Sequence, residues 1–229
     1  MDKLSERNVF EMMDYRAGAG FSAISQIEAY WEALRGSRLM PKRSEIDPRG
    51  IETALEYTFI LERIAIGMAR LRIACSHMNN LMGMEVRGMP LTSFITPTGR
   101  RQMGDILEEV FQRPSVCEVR LSAEVGHNKP AMDARMLLLP LKSDLGDVSR
   151  VLGCFIARGE MGNQPRRFDI IGTKTRPLIP RSDDDETVKT SQRRKPHDTA
   201  KGFHDPKADY TGQPKPVGKP YLRLIKNDD

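Results

Sequence analysis

Ala69-Arg-Leu-Arg-Ile-Ala-Cys-Ser-His-Met-Asn-Asn-Leu-Met-Gly-Met-Glu-Val-Arg-Gly-Met-Pro-Leu-Thr-Ser-Phe-Ile95 decides how the rest of this chain is read. Leu71, Ile73 and Cys75 alternate with Arg70, Arg72 and Ala74, the period of two expected of a strand with one buried face. The period then changes. Ser76 opens a short helix carrying Met78, Leu81 and Met82, Gly83 stops it, and Gly88 and Pro90 turn the chain before residues 91–95. A strand that runs straight into short helical turns places those turns as a roof over a sheet.

Working outward, Phe59-Ile-Leu-Glu-Arg-Ile64 reads as a strand and Ala65-Ile-Gly-Met68 as its connection. Thr96 and Pro97 offer a cap and a first helical residue, and Met103, Ile106, Leu107, Val110 and Phe111 form one stripe of the helix that follows, which Pro114 ends. Next, Cys117, Val119, Leu121, Ala123 and Val125 alternate with Glu118, Arg120, Ser122 and Glu124. Gly126-His-Asn-Lys-Pro130 is a turn, and Met132, Ala134, Met136 and Leu138 alternate with Asp133, Arg135 and Leu137. Residues 148–157 are apolar on both faces, as a central strand should be. The sum is an α+β fold: a five-stranded antiparallel sheet with helices on one face.

Ahead of the sheet, Ile24, Ile27, Trp31 and Leu34 recur at helical spacing and Gly36 stops the helix, while Asp47 and Pro48 start a second one. The stripe of the first helix needs cover, either from its own domain or as a dimer seam formed by Ile24, Ile27, Trp31 and Leu34. The expected division is a flexible start at 1–20, N-terminal helices at 21–56, the sheet domain at 57–161 and a disordered basic tail at 162–229.

The 229 residues carry a net charge of +5. Residues 1–162 hold 21 Lys and Arg against 21 Asp and Glu, and 163–229 hold 15 against 10, so the excess lies in the tail. That tail is rich in Pro and charge and too poor in large apolar residues to offset its ordering entropy. Two apolar islands interrupt it, Arg167-Phe-Asp-Ile-Ile171 and Tyr221-Leu-Arg-Leu-Ile225, suited to docking back or to adding a strand to a sheet edge. Arg193, Arg194, Lys195, Tyr221, Leu222 and Leu224 are the candidate docking residues. A nucleic-acid accessory role through this tail is the alternative reading, and it ranks second because acidic residues dilute the basic ones and no aromatics are interleaved for stacking. No apolar run is long enough to span a membrane and no secretory signal opens the chain, so a cytoplasmic location is expected.

Tyr30-Trp-Glu-Ala-Leu-Arg-Gly36, Leu39-Met-Pro-Lys-Arg-Ser-Glu-Ile-Asp-Pro48 and Phe59-Ile-Leu-Glu62 resemble the opening signature of a PAS-like family of single-domain bacterial proteins. The order of helix, two strands, short helices, long helix and three antiparallel strands is similar to a PAS domain over roughly residues 28–160. The resemblance implies a sensory or adaptor module for signal transduction that acts by protein–protein interaction, commonly as a homodimer, with a small molecule sometimes held between sheet and helices. It does not imply an enzyme.

Site chemistry points the same way. The four histidines do not cluster, no metal-ligand spacing occurs, and no nucleophile elbow, zinc-protease or phosphate-loop motif is present. Neither haem nor flavin is expected: the long helix lacks an axial histidine, and no cysteine has the neighbours a flavin photosensor requires. Cys75, Cys117 and Cys154 read as small core residues. Met68, Met78, Met82, Met84, Met89, Met103, Met132 and Met136 all fall around the covered face, where methionine suits gap filling or an adaptable apolar pocket. The pocket candidates are His77, Asn79, Asn80, Met82, Thr92, Met103 and Met136.

Overall fold

The computed structural model describes residues 21–179. Helix α1 (Ser22–Arg35) leads through two 3-10 segments (Arg43–Glu45 and Pro48–Tyr57) into strands β1 (Thr58–Ala65) and β2 (Met68–Ile73). Helix α2 (Ser76–Met82), two more 3-10 turns (Leu91–Phe94 and Pro97–Gly99) and helix α3 (Arg100–Gln112) follow. The chain then returns as β3 (Ser115–Ala123), β4 (Met132–Lys142), β5 (Val148–Gly159) and β6 (Phe168–Pro177). All pairings are antiparallel, in the spatial order β2-β1-β5-β4-β3-β6.

The expected α+β sheet therefore has six strands rather than five. The island at 167–171, assigned from composition to the tail, opens β6, which pairs with β3 from Ala123↔Phe168 to Ser115↔Pro177. Phe168 is fully buried and Ile170 packs partly against the same core. The candidates Arg193, Arg194, Lys195, Tyr221, Leu222 and Leu224 lie outside the described residues.

Helices also occupy both faces, not one. Along β4 and β5 neighbouring side chains point to opposite faces, and both sets are apolar. Met136, Leu138, Val151 and Phe155 join α2, α3 and the 3-10 turns in one core. Leu137, Leu139, Leu141, Leu152, Cys154 and Ile156 join α1 in a second. Here the proposed dimer seam is corrected. Ile27 and Trp31 are fully buried, Ile24 is 6% exposed and Leu34 is half-buried, all packed with their own sheet. Trp31 Nε1 donates to the Pro140 carbonyl at 3.1 Å, so this stripe is already occupied within the chain. Truncating a side chain buried in this way costs about 3–5 kcal/mol. Arg176 of β6 bridges to Glu28 and Glu32 of α1 and fastens the edge strand to that helix.

Several local expectations shift for identifiable reasons. The segment after Asp47 is 3-10 rather than α, broken at Ile51, although Asp47 Oδ1 does accept the Arg49 N–H at 3.0 Å. Ile73 is 46% exposed because a register shift between Ile60 and Leu61 turns it out of the alternation. Met68 and Met84, placed around the covered face, are also exposed.

Phe59 crosses β5 at Gly153, its cross-strand partner. A Cβ on Gly153 would lie 2.1 Å from the buried Phe59 ring, so only glycine fits. Gly153→Ala is expected to destabilise the domain by about 1–3 kcal/mol. Phe59→Leu in the same chain should recover part of that loss, giving a non-additive double-mutant cycle by urea unfolding. Additive effects would show that the two sites do not compete for space.

Candidate functional site

The roofed core lies between α2, α3, the 3-10 turns and one face of the sheet. Met78, Met103 and Met136 are fully buried in it and Met82 is 7% exposed. Phe155 forms its aromatic centre, edge-on to Phe94 at 5.8 Å and to Phe168 at 5.3 Å. Unbranched thioethers here pack beside edge-on aromatic rings.

The polar pocket candidates are placed differently from one another. His77 stands at the start of α2, and its Nε2 accepts the Ala157 backbone N–H at 2.9 Å. The pairing of β5 with β1 ends at Cys154↔Thr58, so the imidazole supplies the acceptor that a longer β1 would have provided. Its ring also meets Tyr57 edge-on at 5.1 Å. Asn79 Oδ1 accepts the Val86 N–H at 3.1 Å and shapes the turn after α2. Asn80 is exposed and Thr92 half-buried. Met82, Met103 and Met136 are thus brought together, His77 and Asn79 are bonded to backbone, and Asn80 is directed away.

Electrostatics around the core is organised by residues that pattern reading passed over. Arg166, which composition put in the tail, is fully buried. Its Nη1 donates to the Met161 carbonyl at 2.6 Å and its Nη2 to the carbonyls of Glu124 and Pro130, while its own N–H bonds the Leu81 carbonyl at 2.8 Å. The guanidinium therefore joins the β3–β4 turn to the segment before β6, and the backbone N–H of the same residue ties that segment to the end of α2. Among the described residues its Nε finds no hydrogen-bond partner. The Thr96 hydroxyl, expected to cap α3, bonds Asp169 of β6 instead. At the other end of the sheet, Glu108 of α3 accepts the Gly67 N–H at 2.9 Å and pairs with Arg63. The Gly67 hydrogen bond is the foremost cause holding that carboxyl below its usual range. Burial raises the Glu62 carboxyl, but Arg72, Arg70 and Arg150 outweigh it and bring the group below its usual value.

The cysteines are core residues. All three are buried, and desolvation pushes the thiol of Cys75 up to about 11 and that of Cys154 up to about 12, far from the thiolate form that reactivity needs. Among the described residues no His, Cys, Asp and Glu side chains gather in threes to hold a metal.

The Ala157 contact requires a neutral imidazole, and burial, the main cause, lowers the His77 pKa from its ordinary 6.5. A lowered folded value means full stability above 6.5, lost as pH falls through the interval down to the folded value, because the unfolded chain takes up the proton first. Thermal unfolding of His77→Gln, whose amide oxygen can accept the same N–H, is expected to show a flatter profile over that interval than the parent. Parallel profiles would show that His77 does not carry the pH response.

Comparison with known proteins follows the same lines. The PAS domain family matches residues 21–156, which includes α1. Among solved structures, the PAS domain of Bordetella pertussis BvgS is similar at 17% identity and a TM-score of 0.35, covering 49% of this chain and 86% of that one. A PAS domain from a Colwellia psychrerythraea protein is similar at 12% identity and a TM-score of 0.33, covering 49% and 96%. An RNA-binding light-oxygen-voltage receptor is similar at 17% identity and a TM-score of 0.34, with 51% of this chain covering 35% of that one. No curated protein matches. With the family match spanning most of the chain, and a sheet roofed by short helices and α3, this chain belongs to the PAS domain family.

Proposed function

We propose that this chain is a cytoplasmic PAS signalling module without catalysis of its own, which acts by protein–protein interaction and pairs with a second copy through one end of its sheet. A sensory or signalling role is what the family carries. No described helix is long and apolar enough to cross a membrane.

The observation that carries the interaction reading is the grouping of exposed apolar side chains at the end of the sheet where two hairpins turn. Glu62 pairs with Arg150, so the β1–β2 turn and the β4–β5 turn lie side by side. Ile64, Ile66 and Met68 on the first are 47%, 83% and 44% exposed, and Leu145 on the second is 96% exposed. Such residues at adjacent turns, rimmed by charge, mark a contact surface rather than scattered exposure. The rim is mixed in sign, with Arg63, Arg150 and Lys142 beside Asp144, Asp147 and Glu108, which suits a second copy of the same surface better than a strongly charged partner. The display is firm: Gly67, at φ +63°, receives the Glu108 clamp, and a Cβ on Gly104 would come 3.2 Å from the Gly67 carbonyl oxygen.

A small-molecule input, where the module takes one, enters the methionine core, because Met82, Met103 and Met136 can repack while His77 and Asn79 already serve the backbone. Native mass spectrometry of the purified chain is expected to give its bare mass. A stoichiometric adduct lost on Met103→Phe would replace the adaptor reading with that of a ligand sensor.

Sedimentation equilibrium tests the interface. The parent chain is expected to dimerise in the micromolar range and the Ile66→Asp, Leu145→Asp double variant to remain monomeric with an unchanged circular dichroism spectrum. A double variant that dimerises like the parent would contradict this surface.

A further inference from the structure

The face of the sheet that carries α1 is not covered along its whole width. Beyond Phe21, whose ring stacks on the Arg135 guanidinium at 4.8 Å, lies a cleft of about 310 Å³ lined by Glu118 and Arg120 of β3, Arg135 of β4, and Thr173 and Lys174 of β6. Arg120 and Arg135 are direct cross-strand partners. Like charges in directly opposed positions disfavour pairing unless something negative lies between them. The carboxylate present, Glu118, reaches Arg135 at 3.4 Å and stands opposite Lys174 across the β3–β6 ladder. The cleft therefore presents three cations to one carboxylate. Its surroundings add little relief. The first turn of α1 contains no acidic residue, Glu28 and Glu32 further along it are engaged by Arg176, Asp133 stands opposite Arg158 across the ladder, and Asp169 is engaged by Thr96. Gly172, opposite Arg120, leaves the guanidinium room to lie flat: a Cβ there would come 2.8 Å from Arg120 Nη2.

We infer that this cleft is an anion-binding site, in which Arg120, Arg135 and Lys174 converge on a phosphate- or carboxylate-bearing group. Two guanidiniums offer paired N–H donors to a tetrahedral or planar anion, and Lys174 adds a point charge. The site lies away from the methionine core and from the hairpin-end surface. It does not depend on the dimer. Two sources can supply the anion: a diffusible phosphorylated molecule, or carboxylates of the chain itself, since Asp183-Asp-Asp-Glu186 follows a few residues after β6 in the sequence.

The test is a titration of the full chain with inorganic pyrophosphate at constant ionic strength, followed by amide chemical shifts and calorimetry. Saturable shifts confined to Glu118, Arg120, Arg135, Thr173 and Lys174 are expected, with affinity falling roughly tenfold or more in Arg120→Gln. Arg49→Gln, an exposed arginine outside the cleft, should bind as the parent does. Without pyrophosphate, Arg120→Gln should be at least as stable as the parent because a like-charge opposition is removed. Replacing Asp183, Asp184, Asp185 and Glu186 by Ser assigns the source: tighter pyrophosphate binding identifies the chain's own carboxylates as the occupant, and unchanged binding a diffusible one. Non-saturable shifts, or equal affinity in Arg120→Gln and parent, would overturn the site.

Discussion

Everything in this structure depends on the two central strands being apolar on both faces. β4 and β5 each present one row of large side chains to the roof and another to the reverse side, so a sheet roofed on one side only would leave Leu137, Leu139, Leu141, Leu152 and Ile156 against water. Helix α1 answers that requirement. Its residues Ile24, Ile27 and Trp31 fill the second core, and the Trp31 indole satisfies the Pro140 carbonyl within it. The edge strand β6 completes the arrangement from the other side, through Phe168 in the first core and the Arg176 bridges to α1.

That constraint also explains which surfaces remain for function. With both sheet faces largely covered by the chain itself, the accessible features are the end where the β1–β2 and β4–β5 turns project Ile66 and Leu145, and the cation-lined strip beyond Phe21. The two differ in chemistry, one apolar with a mixed-sign rim and one polar with cations in excess.

Much of this was legible in the sequence, and the failures have physical causes. Period-two alternation located β3 and β4, the apolar run at 148–157 correctly marked a strand covered on both faces, and Gly83 at φ +72° ends α2 as its position suggested. The same double-sided run carried the information that a second layer must exist, which would have assigned α1 to the sheet rather than to a partner. β6 was hidden because Pro165 and Pro177 bracket it and lower the hydrophobic content of any window around it, although Phe168 and Ile170 do alternate with Asp169. Arg166 had no local signal at all. Its role rests on two carbonyls far away in sequence, Glu124 and Pro130, besides the nearby Met161, and an arginine in a polar stretch reads as surface. At the core, the methionines were readable as a group, whereas the placement of His77 depended on where β1 stops pairing with β5, a register that sequence periodicity does not encode.

The central claim is that α1 belongs to the sheet of its own chain, and amide hydrogen exchange measured as a function of protein concentration tests it most directly. Amides of residues 24–35 should exchange slowly, together with those of β4 and β5, and equally so at dilutions where the chain is monomeric. Protection of α1 that appears only as the chain associates would contradict the account and return Ile24, Ile27 and Trp31 to an interface between copies.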